Sequence, residues 1–297
     1  MNPHDGRVEA VRIRRNGAER PVVALCAQIA DAGNPVETLQ RARKEWHLDH
    51  FRCSTVLSQQ QYQLQLVDAP SVPKEEMKSA VRWKLKEFLE YPVESATVDM
   101  VPIPPAPAAA NRGRTLYAVS ARNQDIEACM KLFAQARIPL QVIDIAEMAQ
   151  RNLAILFEAD QRALAMLSFG EQGGLLTFTA QGELYLSRRM EIGLGQLANA
   201  QGEARDQLFE RIALELQRSL DHFDRQFSSV PLARLLLAPL PEDIGLAAYL
   251  AGNLSAPVEA VNLGDVLDFH EFPELREPAE QNAKWHALGA ALRVEQA

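Results

Sequence analysis

Residues 163–170, ALAMLSFG, run almost wholly apolar, with no polar alternation. A strand of this kind is buried on both faces of its sheet, and strands alternating with helices supply the cover. That one segment points to a layered α/β architecture. The chain beyond it agrees. GEQGG (170–174) is a glycine turn, LLTFTAQGELYLSRRM returns as a hairpin, and Gln181-Gly182 supplies its positive-φ corner. Residues 207–227 place Leu208, Ile212, Leu216, Leu220, Phe223 and Phe227 three or four positions apart, predicting one long amphipathic helix. A buried strand (ARLLLAPL, 233–240), a helix over 245–254, a short strand over 257–261 and a C-terminal helix (NAKWHALGAALR, 282–293) complete this half.

The first half alternates in the same way. RVEAVRIRR (7–15) has period two, Asn16-Gly17 turns it, and PVVALCAQ (21–28) is its partner strand. A helix over 36–46 turns Leu39 and Ala42 inward, and strands follow at 53–57 and 62–67. In the next helix Ser71 is the expected cap and Pro73 falls in the first turn. Met77, Val81, Leu85 and Phe88 form its buried stripe, and Tyr91-Pro92 stops it. Trp83, beside Arg82, lies off that stripe and reads either as a second packing face or as a binding surface. Strands at 96–103 and 114–121 are joined by PPAPAAANRG (104–113), a breaker-rich loop expected to be mobile. A helix over 124–135 with Ile126, Met130 and Phe133, the strand LQVIDI and a helix over 146–157 lead into the second half.

The formal net charge of −8 argues against nucleic acid as the main partner and against polybasic attachment to anionic lipid. Cys26, Cys53 and Cys129 are odd in number and widely spaced, as reduced cytoplasmic thiols are. No secretory leader is expected from MNPHDGRVEAVRIRR, and no apolar run approaches the roughly 18 residues of a membrane span. The GxSxG, Walker, GxGxxG and HExxH signatures are all missing. His47, Asp49, His50 and Cys53 come nearest to a metal-ligand spacing, but with a single close histidine pair at a predicted helix end they read as a polar helix terminus, and no metal is expected. GEQGG either lets backbone N–H groups approach a phosphate or is simply what a tight turn needs.

Three long segments carry a resemblance. They are VPKEEMKSAVRWKLKEFLEYPVESATVDM (72–100), LSFGEQGGLLTFTAQGELYLSRRMEIG (167–193) and LELQRSLDHFDRQF (214–227), with ARLLLAPLPEDIGLAAYL and ALGAALR in support. Over nearly its whole length the chain resembles the MSHA-biogenesis (MshI-type) members of the PilM-like family of type IV pilus assembly proteins. The cytoplasmic part of GspL and the cell-division protein FtsA are more distant. The resemblance implies an α/β actin-like ATPase (ribonuclease H-like) fold of two lobes, 1–160 and 161–297, with an inserted subdomain over about 62–137 in the first.

Such folds hold a nucleotide between two glycine-containing hairpin turns, each after a strand ending in an aspartate that positions Mg²⁺ and water. This sequence departs from the pattern in three places. The first-lobe strand with its Asp and Gly turn is expected to be absent, because the chain opens at His4-Asp5-Gly6, already close to the hairpin. Ser168 stands two residues before Gly170, where the pattern has Asp, and Ala238-Pro239 replaces a glycine pair. A degenerate, non-catalytic site without a cofactor is therefore expected. Ser168, Gly170, Gly173, Arg218 and Ser219 remain to line its cleft. The alternative is an ATP-binding or ATP-hydrolysing switch in pilus or type II secretion assembly, with residual ATP and Mg²⁺ binding. The resemblance also implies a partner, the cytoplasmic N-terminal segment of a PilN-like single-span inner-membrane protein such as MshJ. It would be gripped beside the insert, with Arg82 and Trp83 as candidate lining. That places the chain in the cytoplasm, at the inner membrane only through its partner.

Overall fold

The computed structural model describes residues 2–4, 7–15, 17, 19–30, 33–105, 114–159 and 161–294. Asp5, Gly6, Asn16 and the loop residues 106–113 lie outside these, and with them the Asp-Gly pair, half of the first turn and most of the loop expected to be mobile. Met1–Ala10 with Ala27–Ala146 form one compact unit, and Val11–Cys26 with Glu147–Ala297 form a second. The lobes read from sequence met near 160, whereas 147–160 pack in the second unit together with the tip of the first hairpin.

In the first unit a three-residue β1 (Asn2–His4) pairs antiparallel with the start of β2 (Arg7–Arg14), His4 opposite Arg7. A strand does precede the hairpin, where the sequence reading expected none. Three residues without apolar alternation leave no periodicity to read, and the strand is evident only from its pairing with β2. β3 (Val22–Ala30) follows, with Gly17 at φ 63° in the turn between. Asn34 caps α1 (Pro35–Trp46) by accepting from the N–H groups of Val36 and Glu37, and Leu39 and Ala42 are buried on its inner face as expected. β4 (Cys53–Val56) runs parallel to β8 (Leu140–Asp144).

Between these strands the chain builds a small subdomain. β5 (Tyr62–Asp68), β6 (Ala96–Pro102) and β7 (Thr115–Arg122) form an antiparallel sheet in the order β5-β7-β6. On it Val67, Ala96, Val98, Leu116 and Ala118 pack against Val81 and Leu85 of α2 (Lys74–Leu85). No side chain caps α2, so Ser71 does not play that part, and the helix ends a turn earlier than Tyr91-Pro92 predicted. The N–H groups of Lys86 and Phe88 turn back to the carbonyls of Trp83 and Leu85. Phe88, expected in the buried stripe, is consequently 49% exposed. α3 (Asn123–Gln135) buries Phe133 but leaves Met130 in solvent.

The second unit centres on a five-stranded sheet in the order β11-β10-β9-β12-β13. Its strands are β9 (Ala163–Gly170), β10 (Gly173–Ala180), β11 (Glu183–Met190), β12 (Leu232–Leu237) and β13 (Val258–Ala260). β9 runs antiparallel to β10 and parallel to β12, and is buried along its length until Gly170. Over one face lie α4 (Ala146–Ala154), α8 (Pro278–Ala283) and α9 (Trp285–Ala291), where Leu153, Trp285 and Leu288 meet Leu164, Met166 and Leu236. The C-terminal helix predicted over 282–293 is thus broken at Lys284. Val23 of the hairpin tip joins the same core.

Over the other face α5 (Leu194–Asn199) leads into α6 (Gly202–Gln226), followed by α7 (Leu246–Asn253). Phe223 of α6 stacks on Phe178 at 4.7 Å, Tyr185 stands edge-on to Phe227 at 5.1 Å, and Phe209 meets Tyr249 at 5.3 Å.

Candidate functional site

The glycine turn between β9 and β10 is a tight hairpin, with Gly173 opposite Gly170 and Gly174 opposite Phe169. Its glycines answer different needs. Gly173 sits at φ 136°, and a Cβ there would lie 2.3 Å from the Met190 carbonyl oxygen. Gly193, beyond β11, approaches so closely that its Cβ would be 2.6 Å from the Glu171 carbonyl oxygen. Both are fixed by backbone packing. Gly170 is different, because a Cβ there would meet only the Gly173 oxygen, at 3.9 Å. Of the glycine candidates at this turn, Gly170 alone would accept a Cβ without a clash.

Ser168, at the end of β9, is 4% exposed. It shares a cross-strand row with Leu175 and Arg189, on the face covered by α4. From α4 the Gln150 side chain reaches into the sheet. Its Nε2 donates to the carbonyls of Met166 (2.9 Å) and Leu175 (3.1 Å) and lies 2.9 Å from the Thr177 hydroxyl. Two carbonyls can only accept, so they fix which end of the carboxamide is nitrogen. The Gln150 Oε1 accepts from Trp285 Nε1 at 3.2 Å and from the Ser168 hydroxyl in a short contact. The Ser168 proton is committed inward. Buried, uncharged and bonded to Gln150, this hydroxyl supplies neither the negative charge nor the access of the carboxylates that commonly hold Mg²⁺.

The neighbouring strand end is closed as well. Ala238 is buried, its N–H bonded to the Leu167 carbonyl at 2.8 Å. Asn282 Nδ2 ties the carbonyls of Phe169 (3.1 Å) and Pro239 (2.8 Å), joining the ends of β9 and β12. One turn before Gln150, the wholly buried Glu147 carboxylate accepts from Arg189 at 2.9 and 3.2 Å. Sequence reasoning missed Gln150, Asn282 and this ion pair. The available signal was polar side chains at 147, 150 and 152, among the inward alanines and leucine of the helix over 146–157.

The remaining candidates scatter. The Ser219 hydroxyl donates to the Glu215 carbonyl of its own helix at 2.8 Å, and Arg218 is exposed. The α6 face at these positions is therefore part self-satisfied and part solvated. Arg82 donates to the carbonyls of Val93 (3.1 Å), Glu94 (3.4 Å) and Ala96, so it ties α2 to the turn before β6. Trp83, adjacent in sequence, is 66% exposed, with Lys86 Nζ 5.8 Å from its ring centre.

The metal reading of His47, Asp49, His50 and Cys53 is not supported. Among the described residues no three His, Cys, Asp or Glu side chains gather as a metal site. His47 takes a left-handed conformation (φ 52°) at the end of α1, Asp49 faces Arg43 at 3.9 Å, and burial pushes the Cys53 thiol up from its usual pKa.

No family model matches the sequence, and no curated protein does. Solved structures do match. A chain of the "PilM-PilN type IV pilus biogenesis complex" superposes with a TM-score of 0.71 at 21% identity, over 98% of this chain and 96% of that one. The cytoplasmic domain of EpsL, an inner-membrane component of the type II secretion system of Vibrio cholerae, gives 0.49 at 14% identity, over 93% and 94%. A protein of unknown function with an actin-like ATPase fold from Bacteroides thetaiotaomicron gives 0.47 at 8% identity, over 90% and 95%. The first of these likenesses establishes the fold: the chain is an α/β protein of the PilM-like, actin-like architecture.

Proposed function

We propose that this chain is a non-catalytic assembly component of a type IV pilus machine, of the MshI type within the PilM-like group. On this reading it reaches the inner membrane by gripping the cytoplasmic N-terminal segment of a PilN-like single-span protein, MshJ or its equivalent. The observation that carries the proposal is the end-to-end likeness to a chain of a complex that contains PilM and PilN. Among the described residues no helix is long and apolar enough to cross a membrane, which accords with attachment through another protein. Trp83 supplies an exposed aromatic anchor of the kind that dominates peptide interfaces.

The experiment is capture of the whole chain on immobilised synthetic peptides, the cytoplasmic N-termini of inner-membrane pilus proteins encoded nearby. Saturable binding to one of them, weakened at least tenfold by Trp83→Ala, is expected. Failure of every peptide to bind at 1 mM, the order of the weakest specific affinities, overturns the reading.

A nucleotide-binding switch is the second reading, and a glycine at 170 that neither a positive φ nor a close contact requires favours it. Because Gly170→Ala fits the fold, loss of ATP binding in that variant, measured by calorimetry, would separate a used site from a vestigial one.

A further inference from the structure

We propose that the Gln150 carboxamide, with Ser168, Thr177 and Trp285, has replaced the metal-holding carboxylate at the end of β9, so that the second unit takes up no divalent cation beside its glycine turn. The inference rests on the fold and on this one cluster, and stands apart from peptide docking.

An actin-like nucleotide site needs an anionic oxygen at this strand end to hold Mg²⁺ or its waters. Here the Gln150 carboxamide occupies that place, bonded to strand carbonyls on one side and to side-chain donors on the other. The Met166 and Leu175 carbonyls hold Gln150 Nε2, which turns Oε1 toward two donors, the Trp285 indole N–H and the Ser168 O–H. Gln150 and Thr177 are fully buried, Ser168 and Trp285 nearly so.

Among the described residues the buried carboxylate of α4 does not substitute. Glu147 is held by Arg189, and Glu171 stands alone on the exposed turn. An aspartate at 168 would set its oxygen against Gln150 Oε1. Flipping the carboxamide to meet it would turn that oxygen onto two carbonyls and leave the indole N–H facing an amine. The network thus excludes the metal and also resists regaining it by a single substitution.

The test uses the whole chain and Mn²⁺ as probe, followed by the paramagnetic resonance of the free ion, with one equivalent of ADP and with ADP alone as reference. The protein is expected to remove no more Mn²⁺ than ADP alone, and its unfolding midpoint in ADP to be the same with Mg²⁺ as with EDTA. One further equivalent of Mn²⁺ bound by the protein and lost in Ser168→Ala would overturn the proposal. Ser168→Asp is expected to lower the unfolding midpoint by roughly 5 °C or more, while Ser168→Thr, which keeps the hydroxyl, stays close to the parent. A Ser168→Asp protein as stable as the parent would also overturn it. Should Ser168→Asp fail to fold, the Mn²⁺ titration of the unaltered chain still decides.

Discussion

A Cβ added at Gly173 or Gly193 would fall within 2.6 Å of a carbonyl oxygen, whereas at Gly170 it would meet nothing nearer than 3.9 Å. Gly173→Ala is therefore expected to cost roughly 2–4 kcal/mol in denaturant unfolding, from its positive φ and the clash together, and Gly170→Ala less than about 0.5 kcal/mol. From sequence the glycines of this turn carried one reading between them, because a sequence shows that a turn needs glycine and not which glycine touches backbone. Charge at single residues gives a second prediction. Burial, and then the Arg188 guanidinium, hold the His222 imidazole below its usual value, with Arg225 acting in the same direction and a hydrogen bond to Gln226 opposing. The unfolded chain then binds a proton at higher pH than the native one, so His222 makes stability fall as pH drops through about 6.5. Replacing it with Gln should flatten that part of the stability curve, and the ring proton shifts of His222 should titrate at a midpoint below 6.5.

Helix α2 separates two roles that adjacent residues play. The Arg82 guanidinium satisfies carbonyls of Val93, Glu94 and Ala96, so Arg82→Ala should lower stability by about 1–2 kcal/mol. Trp83→Ala, at an exposed position, should change it by less than about 0.5 kcal/mol and register in peptide capture instead. If both variants destabilise equally, Trp83 is a packing residue. Most elements were legible because apolar period marks them: the strands of both hairpins, the stripe of α1, the doubly buried β9. Element ends were less so. Phe88 continued the spacing of Met77, Val81 and Leu85, but periodicity cannot show that the N–H groups of Lys86 and Phe88 bond three residues back, which tightens the turn after α2. The α4–α9 crossing was illegible for a similar reason. Gly289 looks like one small residue among many, yet a Cβ there would lie 2.1 Å from the Ala149 carbonyl oxygen, and Asn152 donates to the Gly289 carbonyl at 3.0 Å.

At the scale of the whole molecule the second unit is discontinuous in sequence, and this is what periodicity could least reveal. A hairpin reads alike whichever core it joins, and only tertiary packing assigns residues 11–26 to the unit that 147–297 build. The assignment has several anchors. Val23 is fully buried among Leu263, Leu267, Phe269 and Leu288, with Val11, Ile13 and Cys26 packed on the same cluster. Backbone bonds join Val23 N–H to the Asp268 carbonyl (3.0 Å) and Asp268 N–H to the Pro21 carbonyl (2.9 Å). Arg15 and Arg20 donate to the carbonyls of Leu292 (2.7 Å) and Gly264 (3.0 Å). Removing the hairpin would expose one side of this core and strip partners from buried backbone, a loss comparable with the whole net stability of a domain. Residues 147–294 expressed alone should therefore lack a cooperative thermal transition and bind a hydrophobic dye. The same residues preceded by 11–26 through a flexible linker should regain a single transition. A cooperative transition in the shorter fragment would mean that the hairpin merely rests on a core already complete without it.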